Sequence, residues 1–530
     1  MKNKDLKFNK LLLLAVVPVI STLVSIYQAQ FAYDGFHWGL IIFNAKQFID
    51  GKILYKEIFV HYGFLTTIIN SIIFKISNNN MLTVFMFYSL SYSIGLFIIG
   101  LISYKISKNF VIALLTIFVF FLLHPFTVYP WHSYIIFCLL TIYIYLKFFK
   151  KIKYENSILL ICSCFNESFI YPAIFIIIFD ILYEPIFHRI KIDLNKLKNN
   201  LIVILIFLIF ISFFLLTNNK YLYWFNYLEL PKIFLKEIHQ SNIFEMVFNM
   251  FYTVFYNGIQ RFFFEPQWFF FSVIILTNCF ILFYNLLNKN KLNAIYCYIS
   301  FVSLILLSTN IHNVSIFKIS TGLSLGLIVL ISISFRIKNF YTRNLILILI
   351  FLISLISFEF KKNNSNHLFV RDYQSSEFIK STKFNYFESQ KWSIDTWQHL
   401  NLLTFYSKKI QNKCNISLSY NFTKDAFYSL ILDDYFEVDQ IIPWFQYKER
   451  HFMNSFYYSL NKHFDPNLFS RVIQSVNLNN SIVVAYKENY EKIFWGNDYH
   501  NFSNKMNFIE LQNHDFIKDI IIIYPKNCLI

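Results

Sequence analysis

LLLLAVVPVISTLVSIY, residues Leu11–Tyr27, carries no charged side chain. Three later runs share this character: Leu201–Thr217, Phe269–Leu287 and Leu345–Phe358. Crossing a bilayer takes about 17–25 mostly apolar residues, and in lipid such a segment must satisfy its own backbone hydrogen bonds as a helix. The whole chain agrees with this reading. Of its 530 residues 56% are hydrophobic and 21% aromatic, and the mean hydropathy is +0.46. The predicted class is a mainly α, polytopic helical membrane protein with about 10–13 transmembrane or partly inserted helices.

The net charge of +16 does not point to nucleic acid. The lysines cluster between apolar runs, as the positive-inside rule expects. Enrichment in Lys, Asn, Ile, Phe and Tyr reads as AT-rich codon usage, which also accounts for Asn-x-Ser/Thr triplets such as Asn313–Ser315 and Asn421–Thr423. The seven cysteines form no metal-binding spacing. Cys162 and Cys164 read as small core hydrophobes. Cys414 and Cys528 lie in the polar C-terminal part and are able to pair if that part is exported. The basic start, MKNKDLKFNK, precedes an apolar run without a small-x-small cleavage site, so it reads as a retained signal anchor.

Basic clusters at 2–10, 147–153, 188–198, 289–291 and 336–343 mark the inner side. From Lys198 onward the runs alternate cleanly. Asn218–Glu265 falls outside as a loop, and everything after about Lys361 is external. The first half is less regular. Tyr62–Ile76, Met81–Ser103, Phe110–Leu123 and Trp131–Leu146 give an even number of crossings where an odd number is needed, and Phe110–Leu123 is the predicted partial helix. Ser157–Tyr183 is flanked by basic residues on both sides, which predicts two short helices broken near Asn166-Glu167 and Pro172. Both irregularities imply a cavity in this half. The expected organisation is a transmembrane part over residues 1–360, with a first external loop at 31–60, and a small external α/β domain over 361–530. In that domain Trp392–Ile410 has helical spacing, while 482–486 and 520–524 read as buried strands.

The segment Phe31–Ile76, FAYDGFHWGLIIFNAKQFIDGKILYKEIFVHYGFLTTIINSIIFKI, follows the first span directly. Ionisable groups so near hydrocarbon are costly, which makes them functional candidates. Asp34 is a good N-cap for an amphipathic helix from about Phe36 to Ile49, with Gly51 as its stop. Equally, Asp34, with His37 beside it, places a carboxylate at the outer surface for general-base or metal-ligand chemistry. Glu57, His61 and Tyr62 lie where the loop re-enters the bilayer, as an interfacial belt or as a rim touching a headgroup phosphate. Asn166 and Glu167 sit inside an apolar run, where an acid costs roughly 3 kcal/mol on insertion scales. It must therefore be paired, protonated or facing a cavity. His124 and His132 bracket a short loop at the same outer level, and His312 flanks a later turn. Arg261 and Glu265 surround three phenylalanines at the end of the external loop. A guanidinium fork there matches phosphate oxygens, whereas the spacing also allows an ordinary helical ion pair.

Taken together, Asp34-Gly35-Phe36-His37-Trp38-Gly39, Asp50-Gly51-Lys52-Ile53-Leu54-Tyr55, Glu57 and Tyr62-Gly63 resemble the first external loop of the C-type membrane glycosyltransferase superfamily. That loop carries an acid after the first span, an amphipathic helix, a Gly-Lys-x-x-Tyr stretch and a Tyr-Gly opening the second span. The resemblance implies a polyprenyl-phosphate-linked sugar as donor and a glycan, lipid or protein acceptor. It implies a site on the periplasmic face of a bacterial inner membrane, with the base or metal-ligand role on Asp34. If a metal takes part it is a divalent cation, Mg or Mn. A second acid, which family members often carry in a later external loop, is missing from Phe126–Trp131. On this reading Asp34 and His37 are catalytic, and Arg261, His61 and Tyr62 meet the donor phosphate. Glu57, Asn166, Glu167, His124, His132 and His312 line the cavity. The rival readings are a transporter or flippase for a lipid-linked glycan and a polysaccharide polymerase or ligase.

Overall fold

The computed structural model describes residues 8–35, 37–54, 58, 60, 62–124, 130–150, 152, 154–188, 193–216, 243–288, 294–310, 316–363, 385–416, 418–421, 423, 425–432, 480–487, 506–511 and 519–528. It is mainly α-helical. Helix α1 (Phe8–Ala29) leads into α2 (His37–Ile49), α3 (Phe64–Ile76), α4 (Met81–Ser107), α5 (Phe110–Leu123) and α6 (His132–Tyr145), which runs on as a π turn over Leu146–Lys150. Next come α7 (Ser157–Phe165), a 3-10 turn over Glu167–Phe169, α8 (Ile170–His188) and α9 (Leu194–Leu216). The bundle continues with α10 (Ile243–Gln260), α11 (Gln267–Asn288), α12 (Ala294–Ile305), α13 (Ile316–Phe335) and α14 (Phe340–Asn363). Among the described residues six helices are long and apolar enough to cross a membrane: those containing Phe8–Ala29, Met81–Ser107, His132–Lys150, Leu194–Ser212, Gln267–Leu287 and Phe340–Glu359.

The break expected in Ser157–Tyr183 falls at Asn166, between α7 and α8. The Asn166 side chain accepts from the Ser168 amide and caps the new turn. Pro172 lies in the first turn of α8, where a missing N–H costs nothing. One difference is that α3, at 13 residues, is as short as the expected partial helix Phe110–Leu123, at 14, and both stand among the shorter apolar helices. Tyr62 and Gly63 precede the helix, with Gly63 as its N-cap at an extended ψ of 150°, and the Gly63 amide donates to the carbonyl of Phe165 across the bundle, at 3.0 Å. A second difference concerns Asn218–Glu265, read as loop. Its last part is the 18-residue helix α10. Met246, Met250 and Val254 make the buried stripe of α10, and Ser272 on α11 donates to the Val254 carbonyl.

The α4–α6 pair forms the aromatic centre of the bundle, with Tyr88, Tyr92, Tyr134 and Phe137 buried. The C-terminal domain packs α15 (Ile394–Cys414) and the short α16 (Ala426–Ile431) with a four-stranded sheet: β1 (Leu418–Asn421), β2 (Ser481–Tyr486), β3 (Met506–Leu511) and β4 (Ile520–Pro525), in order β1-β2-β4-β3. β1 and β2 run parallel, and the other pairings are antiparallel, with Val483 and Phe508 both opposite Ile523. Buried Trp397, Leu400, Leu403 and Ile410 form the core face of α15 at helical spacing. Cys414, the last residue of α15, is bonded to Cys528 beyond β4, with Cα atoms 5.6 Å apart, within the normal disulfide range.

Candidate functional site

The turn after α1 is held from several sides. Phe31 and Ala32 donate back to Gln28 and Ala29, closing the helix. The Asp34 carbonyl accepts the Gly39 amide at 2.9 Å, so the start of α2 is tied to the Asp34 backbone, and the Asp34 side chain is buried, at 5% exposure. The described helix runs from His37, in keeping with a start at about Phe36. The C-terminal domain covers this turn. The Lys391 amide donates to Gln30, and the Trp392 indole N–H donates to the Ala32 carbonyl at 2.7 Å. The Tyr33 hydroxyl donates to Asp425 Oδ2 at 2.5 Å, and its ring packs edge-on against Trp392 and Phe427. The Ala426 amide donates to the Gly35 carbonyl.

A second group gathers at the helix break. Gly63 N–H and Thr66 Oγ1 both donate to the Phe165 carbonyl, at 3.0 and 2.8 Å. That pair of bonds to one carbonyl fixes the re-entry point of the first loop to the end of α7. It brings Tyr62 over the ring of His132, centroids 4.5 Å apart, and edge-on to Trp131. Asn166 Nδ2 meets His132 Nε2 at 2.7 Å. Of the sequence-derived candidates, the structure thus unites Tyr62, His132 and Asn166, with buried Glu167 next in the chain. His124 lies tilted against Tyr92 at 4.5 Å and close to Tyr134 inside the bundle.

Arg261 belongs to the turn between α10 and α11. Its Nη1 lies 3.0 Å from Glu265 Oε2, the helical pairing its spacing allowed. Glu265 also accepts from the Trp268 indole. The Arg261 side chain remains 55% exposed, against 9% for that of Glu265. Glu57, His61 and His312 lie outside the described residues, as does the side chain of His37. Among the described residues, no three His, Cys, Asp or Glu side chains converge to hold a metal ion.

Two sets of residues escaped the sequence reading. Asp425 is one, and nothing in its local sequence marks it beyond an ordinary N-cap position before Ala426–Ile431. The other is an ionic cluster at the opposite end of the bundle. Asp180, on α8, pairs with Lys147 on the π turn and with Lys196 on α9, the latter at 3.0 Å. Lys147 also reaches Glu155 at 3.3 Å. Asn156 donates to Asp180 and to Asn200, and accepts from the hydroxyl of Tyr143, which also bonds Tyr298 on α12. A lone acid in the run IFIIIFDILY was visible to the same reasoning that singled out Glu167.

No protein-family model matches the chain, and no curated protein matches it either.

Proposed function

We propose that this chain is a multi-pass membrane glycosyltransferase of the C-type superfamily. In this reading it moves a sugar from a polyprenyl-phosphate donor to an acceptor hydroxyl on the periplasmic face of a bacterial inner membrane. The observation that carries the reading is the setting of Asp34. It is a buried carboxylate on the turn directly after the first long apolar helix, held between the helical bundle and the C-terminal domain. The Cys414–Cys528 bond supports an oxidising compartment for that domain. The outward-facing leucines, valines and isoleucines of α1, such as Leu12, Val16 and Leu23, suit contact with lipid tails.

In the proposed step Asp34 orients the acceptor hydroxyl and takes its proton. The freed oxygen forms a bond to the anomeric carbon as the bond from that carbon to the phosphate oxygen breaks. Polyprenyl phosphate leaves with the electron pair, and a single displacement inverts the anomeric centre. The guanidinium of the exposed Arg261 side chain is the group assigned to offset the leaving phosphate charge. Tyr62, His132 and Asn166 form a polar, aromatic rim of the kind that binds a sugar.

The test is a panel of polyprenyl-phosphate sugars offered to the purified protein in nanodiscs, with release of polyprenyl phosphate as readout. Wild type is expected to release it with at least one donor. Asp34→Asn is expected to fold normally and lose nearly all release. Full turnover by that variant would remove the catalytic role. Translocation of a lipid-linked glycan between leaflets, without release from any donor, would move the reading to a transporter.

A further inference from the structure

Asp425 sits where the C-terminal domain meets the Asp34 turn, and three bonds converge on it or beside it. Its Oδ1 accepts the Phe427 amide at 2.9 Å, capping α16. Its Oδ2 accepts the Tyr33 hydroxyl. The next amide, of Ala426, donates to the Gly35 carbonyl at 2.9 Å. The fit is also steric. A Cβ added to Gly35 would fall 1.9 Å from Asp425 Oδ1 and 2.1 Å from its Cγ, so the carboxylate lies on the Gly35 Cα. A Cβ is also crowded one helical turn on, where at Gly39 it would meet the Phe427 amide at 3.2 Å. Asp34, between Tyr33 and Gly35, is buried beneath this contact. Asp34 is only 5% exposed while the contact stands.

We propose that Tyr33, Gly35 and Asp425 form a latch: they hold the C-terminal domain closed over Asp34, and its release admits a ligand to that carboxylate. The proposal rests on Asp34 being the working group, but the latch is measurable whether or not the chain transfers a sugar. A hydroxyl bonded to a buried carboxylate is one of the stronger protein hydrogen bonds, and its loss shifts an open–closed balance by about tenfold or more.

The test is carboxylate footprinting of the full chain in nanodiscs with a water-soluble carbodiimide and an amine, read by mass spectrometry. Exposed Glu388 and Asp395 are the positive references, and buried Asp180 reports on the bundle. In wild type Asp34 is expected to label far more slowly than Asp395. Tyr33→Phe, which keeps the ring against Trp392 and Phe427, is expected to raise Asp34 labelling about tenfold, and Asp425→Asn to do the same. Gly35→Ala is expected to raise it further, with Glu388, Asp395 and Asp180 unchanged in all three. A short bis-maleimide crosslink between cysteines placed at Gln30 and Lys391, whose backbones meet, is expected to restore protection in Tyr33→Phe. The latch is overturned if Asp34 labels like Asp395 in wild type. It is also overturned if Tyr33→Phe and Asp425→Asn stay as protected as wild type, or if Asp34 and Asp180 become reactive together, which marks unfolding instead of opening.

Discussion

Gly63→Ala probes how the first loop is fixed to the helix break. The backbone of Gly63 is ordinary, with φ −53° and ψ 150°, so alanine meets no conformational strain there. Its Cβ would stand 2.1 Å from the Cys164 carbonyl oxygen and 2.6 Å from the carbonyl carbon. These are backbone atoms and cannot rotate aside. Restoring a contact near 3.4 Å forces the two chains apart by about 1.3 Å. A shift of that size breaks the 3.0 Å bond from Gly63 N–H and the 2.8 Å bond from Thr66 Oγ1, both to the Phe165 carbonyl. Two bonds at about 1 kcal/mol each, with about 1–3 kcal/mol of overpacking, less about 0.5 kcal/mol for a stiffer unfolded chain, give a net loss of about 2.5–4.5 kcal/mol. The assay is reversible unfolding by SDS in mixed micelles, followed by tryptophan fluorescence. Thr66→Val removes one bond and is expected to cost about 1 kcal/mol. Gly51→Ala is the conformational control. Gly51 has φ +88° with nothing within 4 Å of its Cβ position, so alanine there costs only about 1–2 kcal/mol of left-handed strain. Should Gly63→Ala cost no more than Gly51→Ala, the loop is not seated on Phe165 as described.

Two further expectations concern charged groups. Asp180→Ala takes from Lys147 and Lys196 the buried carboxylate they share and is expected to cost about 3–5 kcal/mol, whereas Asp180→Leu combined with Lys147→Met should recover most of that in the same SDS titration; an Asp180→Ala protein as stable as wild type would mean the cluster carries no weight. Arg261→Lys keeps charge without the planar fork and is expected to weaken donor affinity moderately, and Arg261→Ala severely. If the pair with the buried Glu265 carboxylate is its whole role, both variants will bind donor like wild type.

The helices were readable because a bilayer-length apolar run has few alternatives. Leu11–Tyr27 and Phe269–Leu287 lie inside α1 and α11. The break in Ser157–Tyr183 was readable from Asn166, whose side chain prefers to cap a helix than to continue one. In the C-terminal domain, strands 481–486 and 520–525 were visible and 418–421 and 506–511 were not. β2 and β4 are the central strands, so they read as continuous apolar runs. β1 and β3 are edges, and LSYN and MNFIEL carry the polar residues that an edge tolerates. The helix α10 was legible within the segment read as loop, because its buried Met246, Met250 and Val254 recur at helical spacing.

The chain on its own determined that it is mainly helical, where its long apolar helices lie, where one of them breaks, and that Asp34 and Asn166 stand at places where polar groups are costly. These follow from composition and from patterns within a few residues. The tertiary structure alone decided which of those groups meet. Tyr62 reaches His132 and Asn166 because one carbonyl, of Phe165, receives two donors from the first loop. Asp425 reaches Tyr33 across 392 positions of sequence, and Lys391 and Trp392 close on Gln30 and Ala32 beside it. Such pairings depend on shape, on a glycine without a Cβ opposite a carboxylate. Local sequence cannot encode them, because either partner looks ordinary until the other is folded against it.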